Sequence, residues 1–193
     1  MKRFQIVLGM FAIFGLIADG VAAEKPGLNV PPAGFKALFN GKDLTGWNHD
    51  EKTKQHWRVV DGVLDYSGKQ KSLVTEKKFK NFILLVDWKI PKGADSGIFL
   101  RGKPQVQIWD NPEGSGGLWN DKVKALKNAD KPIGEWNHFE IRLEKGDLVT
   151  VLLNGEKVVD KFKKKLPPEG PIVLQHHGNP LQFKNIFMKE IED

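Results

Sequence analysis

The residues best suited to chemistry lie in the stretch 95–110, DSGIFLRGKPQVQIWD. Its alternation predicts two short strands, 96–101 and 105–110, joined by Gly102-Lys103-Pro104, with side chains sorted onto two faces. Ile98, Leu100, Val106 and Ile108 share one face; Phe99, Arg101, Gln105, Gln107 and Trp109 share the other. A solvated outer face would carry Lys, Glu, Ser and Thr. An Arg and two Gln beside a Phe and a Trp form instead a wall for a ligand with polar edges and flat apolar faces, such as a sugar. The alternative is a strand pair whose second face is covered by a loop, its amides satisfied locally. A second polar stretch, GPIVLQHHG at 170–178, puts Gln175 and His177 on one face and Leu174 and His176 on the other. The two histidines therefore do not sit side by side on one metal. His177, next to Gly178, is a candidate general base because imidazole titrates near neutral pH; the alternative is a capping or surface histidine.

Asp87 and Trp119 complete the set. In FILLVDWKI, Leu84, Val86, Trp88 and Ile90 alternate with Ile83, Leu85, Asp87 and Lys89, leaving Asp87 as either a functional carboxylate or half of a structural ion pair. If that strand lay beside 96–101, Asp87 would approach Arg101. Trp119 stands in the longest irregular stretch, 111–133, behind Gly114, Gly116 and Gly117. Loops of that length in compact domains are often binding loops, which makes Trp119 a candidate sugar platform.

The elements that must hold these residues read as strands throughout. Asp61-Gly62 and Asn154-Gly155 each separate two short apolar runs, the signature of tight hairpins whose turn residues need positive φ. Further strands are expected at 134–144, 171–176 and 181–190, with a first strand and tight loop within 34–47. No helical period follows the N-terminal segment. Strands of this density predict an all-β fold, an antiparallel two-sheet β-sandwich or jelly roll.

Composition is consistent with one globular domain: 40% of residues are hydrophobic and 28% charged, too apolar for a disordered chain. Lys2 and Arg3 precede an apolar run over 6–17, and Val21-Ala22-Ala23 offers a cleavage site, so residues 1–23 are expected to be a signal peptide and the protein to be exported, periplasmic or extracellular. The run is short for a membrane span, and no membrane attachment is expected after cleavage. Residues 24–33, with three Pro and a Gly, are expected to be a linker to a domain at 34–193. Cys is absent, so packing alone must stabilise the fold. The net charge is +6; residues 1–23 carry Lys2, Arg3 and Asp19, which leaves +5 after cleavage. The dense basic run Lys161-Phe162-Lys163-Lys164-Lys165 ends at Leu166-Pro167-Pro168, a strand end entering a turn, and no nucleic-acid partner is expected. Glu-x-Asp-x-Glu on one strand, the pattern of retaining glucanases with carboxylates about 5 to 5.5 Å apart, does not occur.

GFKALFNGKDLTGW, DSGIFLRGKPQVQIWD, GEWN, GPIVLQHHG and FKNI, in that order, resemble the 3-keto-disaccharide hydrolase domain family, formerly a domain of unknown function. The resemblance covers essentially all of the chain after the N-terminal segment. It implies a concanavalin A-like jelly roll, export by bacteria, and activity on sugars oxidised at C3. The family often carries Glu where this chain has Gln105, Tyr where it has Pro104 and Arg where it has Lys184; Asp95, Arg101, Gln107, Asp110, Gln175, His177 and Gly178 match. A C3 ketone acidifies the C2 proton; a base that removes it makes an enolate that expels the C1 substituent, and water addition completes hydrolysis. His177 or Asp87 is the expected base. Arg101 and Gln107 are the expected enolate stabilisers, a role worth about 3 to 4 kcal/mol per donor. Gln105, Gln107, Trp109, Trp119 and Gln175 are the expected substrate contacts. A divalent cation held by Asp110, His177 or Gln side chains is possible but not required. The partner is a carbohydrate, and the alternative function is a lectin-like binding module without catalysis.

Overall fold

The computed structural model describes residues 27–69 and 71–192, so the expected signal peptide lies outside the described residues. The strands are β1 (Lys36–Ala37), β2 (Trp47–Asn48), β3 (Trp57–Val60), β4 (Val63–Tyr66), β5 (Leu73–Thr75), β6 (Phe82–Lys89), β7 (Asp95–Leu100), β8 (Gln105–Trp109), β9 (Asn137–Glu144), β10 (Leu148–Leu153), β11 (Glu156–Lys163), β12 (Ile172–Leu174) and β13 (Leu181–Glu190). They form two antiparallel sheets. The larger runs β11-β10-β9-β6-β13-β4-β3, with β1 also paired to β13; the smaller runs β2-β5-β12-β7-β8. The fold is the all-β sandwich expected from the sequence. Trp47, Trp57, Trp88, Tyr66, Phe39, Phe82, Phe139 and Phe183 fill the space between the sheets, all essentially without solvent contact.

Both predicted hairpins form. Asp61 and Gly62 have φ of 49° and 75° between β3 and β4, and Asn154 and Gly155 have 54° and 85° between β10 and β11, the mirror-image turn that matches strand twist. The first predicted strand shrinks to two residues, β1. One helix was not expected: α1 (Glu51–His56) is a turn and a half, too short for an apolar period. Its start is set by Asp50, whose side chain accepts from the Thr53 N–H at 2.7 Å. A bond from the Thr53 hydroxyl at 2.7 Å, then the Lys71 ammonium and the Thr53 N–H, hold the Asp50 carboxyl well below the usual range.

Within the stretch expected as a linker, Asn29 is tied to the sandwich: Asn29 and Asn185 exchange backbone-to-side-chain hydrogen bonds of 2.8 and 2.9 Å, and Asn29 Nδ2 donates to Gly62 O. Among the described residues no helix is long and apolar enough to cross a membrane. The basic run ends β11, and Lys164 pairs with Asp121.

Candidate active site on the outer face of the smaller sheet

In β7 and β8 the alternation read from the sequence holds. Ile98, Leu100, Val106 and Ile108 are fully buried in the core, and Gln105, Gln107 and Trp109 point to the other side of the sheet. Gln105 faces Phe99 across the pair, Gln107 faces Gly97 and Trp109 faces Asp95. On the other flank of β7, β12 brings Val173 beside Phe99, and the Gln175 N–H donates to Gly97 O at 2.8 Å. Gly97 is thus the centre of a small polar floor. A Cβ there would lie 2.5 Å from Gln105 Nε2, 2.7 Å from its Cγ and 2.9 Å from Val106 O. The Gln105 side chain lies across the space that glycine leaves.

The amides on this floor form a directed chain. Gln105 Nε2 donates to Gln107 Oε1 at 3.0 Å and to Gln175 Oε1 at 2.8 Å, and Gln107 Nε2 donates to Asp95 Oδ1 at 2.7 Å. The ionised carboxylate only accepts, and this fixes every amide orientation behind it. Gln107 must turn its NH2 to Asp95 and its carbonyl to Gln105; Gln105 then uses both N–H bonds, and Gln175 is left with its own NH2 directed away from Gln105. Gln105 and Gln107 are each only 3% exposed, so the bond between them is made out of water, where it holds geometry most firmly, while the bonds to Gln175 and Asp95 are part-buried. Both sequence readings therefore apply: the amides are buried and satisfied by one another, and they form the base of a ligand-facing surface.

Asp95 connects this floor to the imidazole. His177 Nδ1 lies 3.9 Å from Asp95 Oδ1, beyond a direct hydrogen bond but close enough for a small ring movement to make one. His177 is half exposed, with its second nitrogen available to a ligand. His176 points the other way and hydrogen-bonds the buried Tyr66 hydroxyl, as the opposite-face reading requires. Asn179 Oδ1 accepts from the Asp95 N–H at 3.3 Å and anchors the turn after His177 to β7.

Aromatic walls flank the floor. Trp109 donates from Nε1 to Gly114 O at 2.7 Å and meets Trp119 edge-to-face with ring centroids 5.4 Å apart. Trp119 starts a single 3-10 turn (Trp119–Asp121) in the long loop and is 57% exposed, a large aromatic held in water. Gln107, Trp109 and Trp119 line a cavity of about 460 Å³ together with Glu113, Leu118 and Lys122. The loop is held against β8: Gln107 N–H donates to Gly117 O at 2.9 Å, and Gly116 N–H to Gln107 O at 2.8 Å.

Two expected catalytic residues lie elsewhere. The alternation predicts Arg101 at the end of the strand, but β7 ends at Leu100 and Arg101 takes φ of 52°, which turns its side chain out of the alternation. It is buried, donating from Nη1 to Lys80 O at 2.8 Å and pairing with Asp147. Asp87 is in β6, a strand of the larger sheet lying between β9 and β13, so the cross-strand approach to Arg101 does not occur. Its carboxylate accepts from His138 Nδ1 at 2.6 Å and Asn185 Nδ2 at 2.7 Å. Asp110, named as a cation ligand, accepts from the Gly93 N–H at 2.8 Å at the end of the sandwich. Among the described residues no three His, Cys, Asp or Glu side chains stand together as a metal cluster. Asp95 and Gly97 are the residues to which sequence reasoning gave no role. Their signal was parity, since both share the outer face with Phe99.

The chain is similar to several known proteins. The sequence pattern of the 3-keto-alpha-glucoside-1,2-lyase-like domain matches residues 34–189. A 3-keto-disaccharide hydrolase of Bacteroides thetaiotaomicron is 27% identical over 244 positions, covering 89% of this chain and 84% of that protein. A candidate glycosyl hydrolase from Parabacteroides distasonis, known from its crystal structure, superposes with a TM-score of 0.74 at 26% identity, over 86% of this chain and 100% of that one. LamAcat from Zobellia galactanivorans shares the fold alone, with a TM-score of 0.50 at 12% identity over 68% of this chain and 79% of that one.

Proposed function

We propose, from the premise that this chain belongs to the 3-keto-alpha-glucoside-1,2-lyase-like domain family, that it is a carbohydrate-active enzyme cleaving the glycosidic bond of 3-keto-glycosides. The observation that carries this reading is the hydrogen-bonded Gln175–Gln105–Gln107–Asp95 chain, buried at its centre, which ends beside a half-exposed His177 on a face walled by Trp109 and Trp119. It offers one base with an orienting carboxylate, and one outward-directed amide donor.

In this reaction His177 takes the proton from C2 of the oxidised ring. The C–H electrons form the C2–C3 enolate, and the charge rests on the C3 oxygen. Gln175 Nε2, turned outward because its carbonyl accepts from Gln105, is the donor for that oxygen. When the enolate collapses, the C1–C2 double bond forms, the C1–O bond breaks and the leaving oxygen takes a proton. Addition of water across the double bond completes net hydrolysis. Asp95, held by Gln107, orients the imidazole and stabilises its protonated form. Trp109 and Trp119 stack on the sugar's C–H faces. Residues 1–23 serve export in this proposal; N-terminal sequencing of the protein from an extracytoplasmic fraction should begin at Glu24.

The test is aglycone release from a 3-keto aryl glucoside and from its unoxidised parent, with and without a chelator. The proposal expects turnover of the ketone alone, and a fall in kcat of roughly 100-fold or more for His177→Ala with KM little changed. Loss with chelator adds a cation to the site. Equal cleavage of the parent overturns the elimination route, and binding without any turnover points to a lectin-like module.

A further inference from the structure

His177 lies beyond the end of β12, which stops at Leu174, and residues 175–180 belong to no strand. Its own ring is half exposed and stands 3.9 Å from Asp95, so little in the side chain's surroundings fixes where it sits. The backbone must do that. The neighbouring His176 points the other way, into the sandwich, and its Nδ1 meets two groups: the Gly178 N–H at 3.3 Å and the Tyr66 hydroxyl. The first contact decides the second. A backbone N–H only donates, so Nδ1 carries no proton, and the Tyr66 hydroxyl must donate to it as well. The bond to Gly178 also spans His177, closing over it as the side chain of an Asx turn closes over the residue between its ends.

The ring that makes this closure is held by the core of the opposite sheet. Tyr66, in β4 of the larger sheet, has no solvent contact and stacks on Trp57 with ring centroids 4.2 Å apart; Trp57 in turn stacks on Phe183 of β13 at 6.3 Å. Tyr66 meets the His176 ring edge-on at 5.9 Å. The His176 N–H donates to Ser72 Oγ at 3.0 Å, and the turn after it rests on Gly68, where a Cβ would lie 2.8 Å from Gly178 O. Asn179 ties the same turn to β7 through the Asp95 N–H. His177 is therefore gripped on both sides by residues anchored in both layers.

We infer that Tyr66 and His176 are positioning residues, which hold the proposed base over the Gln floor from the core side. The inference rests on the assignment of His177 as the base, and its test separates the two. His176→Leu removes both hydrogen bonds. His176→Asn restores an acceptor, because Asn Oδ1 occupies the same place along the side chain as His Nδ1. Tyr66→Phe keeps the ring stack and removes the hydroxyl. Leu143→Ala, in the core beside β6 and β10, is a control that destabilises the fold far from the turn. A misplacement of about 1 Å costs on the order of 100-fold in rate, so kcat on the 3-keto aryl glucoside should fall roughly 10-fold to 100-fold for His176→Leu, and less for Tyr66→Phe. KM should stay within about twofold in both, since the substrate contacts remain. His176→Asn should recover most of the lost kcat, and the folded fraction of Leu143→Ala should keep the wild-type value. Wild-type kcat in both His176→Leu and Tyr66→Phe overturns the inference. So does an Asn variant as slow as the Leu variant, which would make the imidazole itself a catalytic group. Backbone NMR order parameters of His177 and Gly178 give a reading that needs no turnover: they should drop from roughly 0.85 toward about 0.6 in His176→Leu and return in His176→Asn. Values unchanged in His176→Leu overturn the positioning role. If wild type turns over neither the ketone nor its parent, the reaction fails, and the order parameters alone decide the positioning.

Discussion

Gly97→Ala tests whether the candidate site is held together by the side chain that crosses β7. The added methyl would sit 2.5 Å from Gln105 Nε2 and 2.7 Å from its Cγ, where ordinary contacts between heavy atoms begin near about 3.5 Å. Gln105 must retreat by about 1 Å, which stretches its 2.8 and 3.0 Å bonds beyond useful length. Two hydrogen bonds at about 1 kcal/mol each are lost. The approach to the Val106 carbonyl adds overpacking of about 1 to 3 kcal/mol. The total, about 3 to 5 kcal/mol, corresponds to a fall in Tm of roughly 10 °C for a chain of this size. Gln105→Ala removes the same two bonds and leaves two buried carbonyls without donors, at about 2 to 3 kcal/mol. In the double variant the methyl meets no Gln105 side chain, so its destabilisation should be smaller than the sum of the singles by about 2 kcal/mol. Urea denaturation of wild type, both singles and the double variant measures this coupling directly. Additivity within about 0.5 kcal/mol would refute the packing of Gln105 over Gly97, because independent sites behave in that way.

Arg101→Met should be destabilising by about 3 kcal/mol, since it deprives Asp147 and the Lys80 carbonyl of their buried donor, yet the folded fraction should keep its kcat; a large loss of kcat in folded protein would return Arg101 to the catalytic set. Asp87→Asn should likewise alter denaturation and leave turnover within about twofold, because its partners His138 and Asn185 lie on the larger sheet. Asp130 supplies a pH test. Burial first, and then the charge of Asp110, raise its carboxyl above the ordinary 3.8, so the fold favours its protonated form and its ionisation opposes stability at neutral pH. Asp130→Asn should therefore have the higher Tm at pH 7, with the advantage shrinking as pH falls through the raised value and vanishing below 3.8. A Tm difference that grows on acidification would contradict this.

How far the sequence could be read depended on which link was asked of it. Parity along 95–109 placed Gln105, Gln107 and Trp109 on one face correctly, because a strand's period of two is a local property. The same holds for Gln175 and His177, and for the Asp-Gly and Asn-Gly turns. Parity says nothing about which strand lies alongside, and so Asp87 was brought toward Arg101 although β6 and β7 belong to different sheets. The role of Arg101 was lost to a single backbone angle: a positive φ on an Arg has no sequence marker of the kind that Asn-Gly provides. Gly97 was invisible for a related reason. Its importance lies in what crosses it, and Gln105 reaches it only once β7 and β8 are in register. Asp95 was on the right face but became part of the site only through Gln107 and His177, contacts 12 and 82 positions away in the chain.

The order of the strands has a consequence for how the protein folds. β12 and β13 follow every other strand in chain order, yet each lies inside its sheet: β12 between β5 and β7, β13 between β6 and β4. A chain that stops short of residue 172 lacks an interior strand of both layers, and it also lacks Gln175 and His177. Contacts so distant in sequence make folding slow relative to helical proteins of similar size. The sandwich therefore closes only once residues 172–190 are free to enter both sheets.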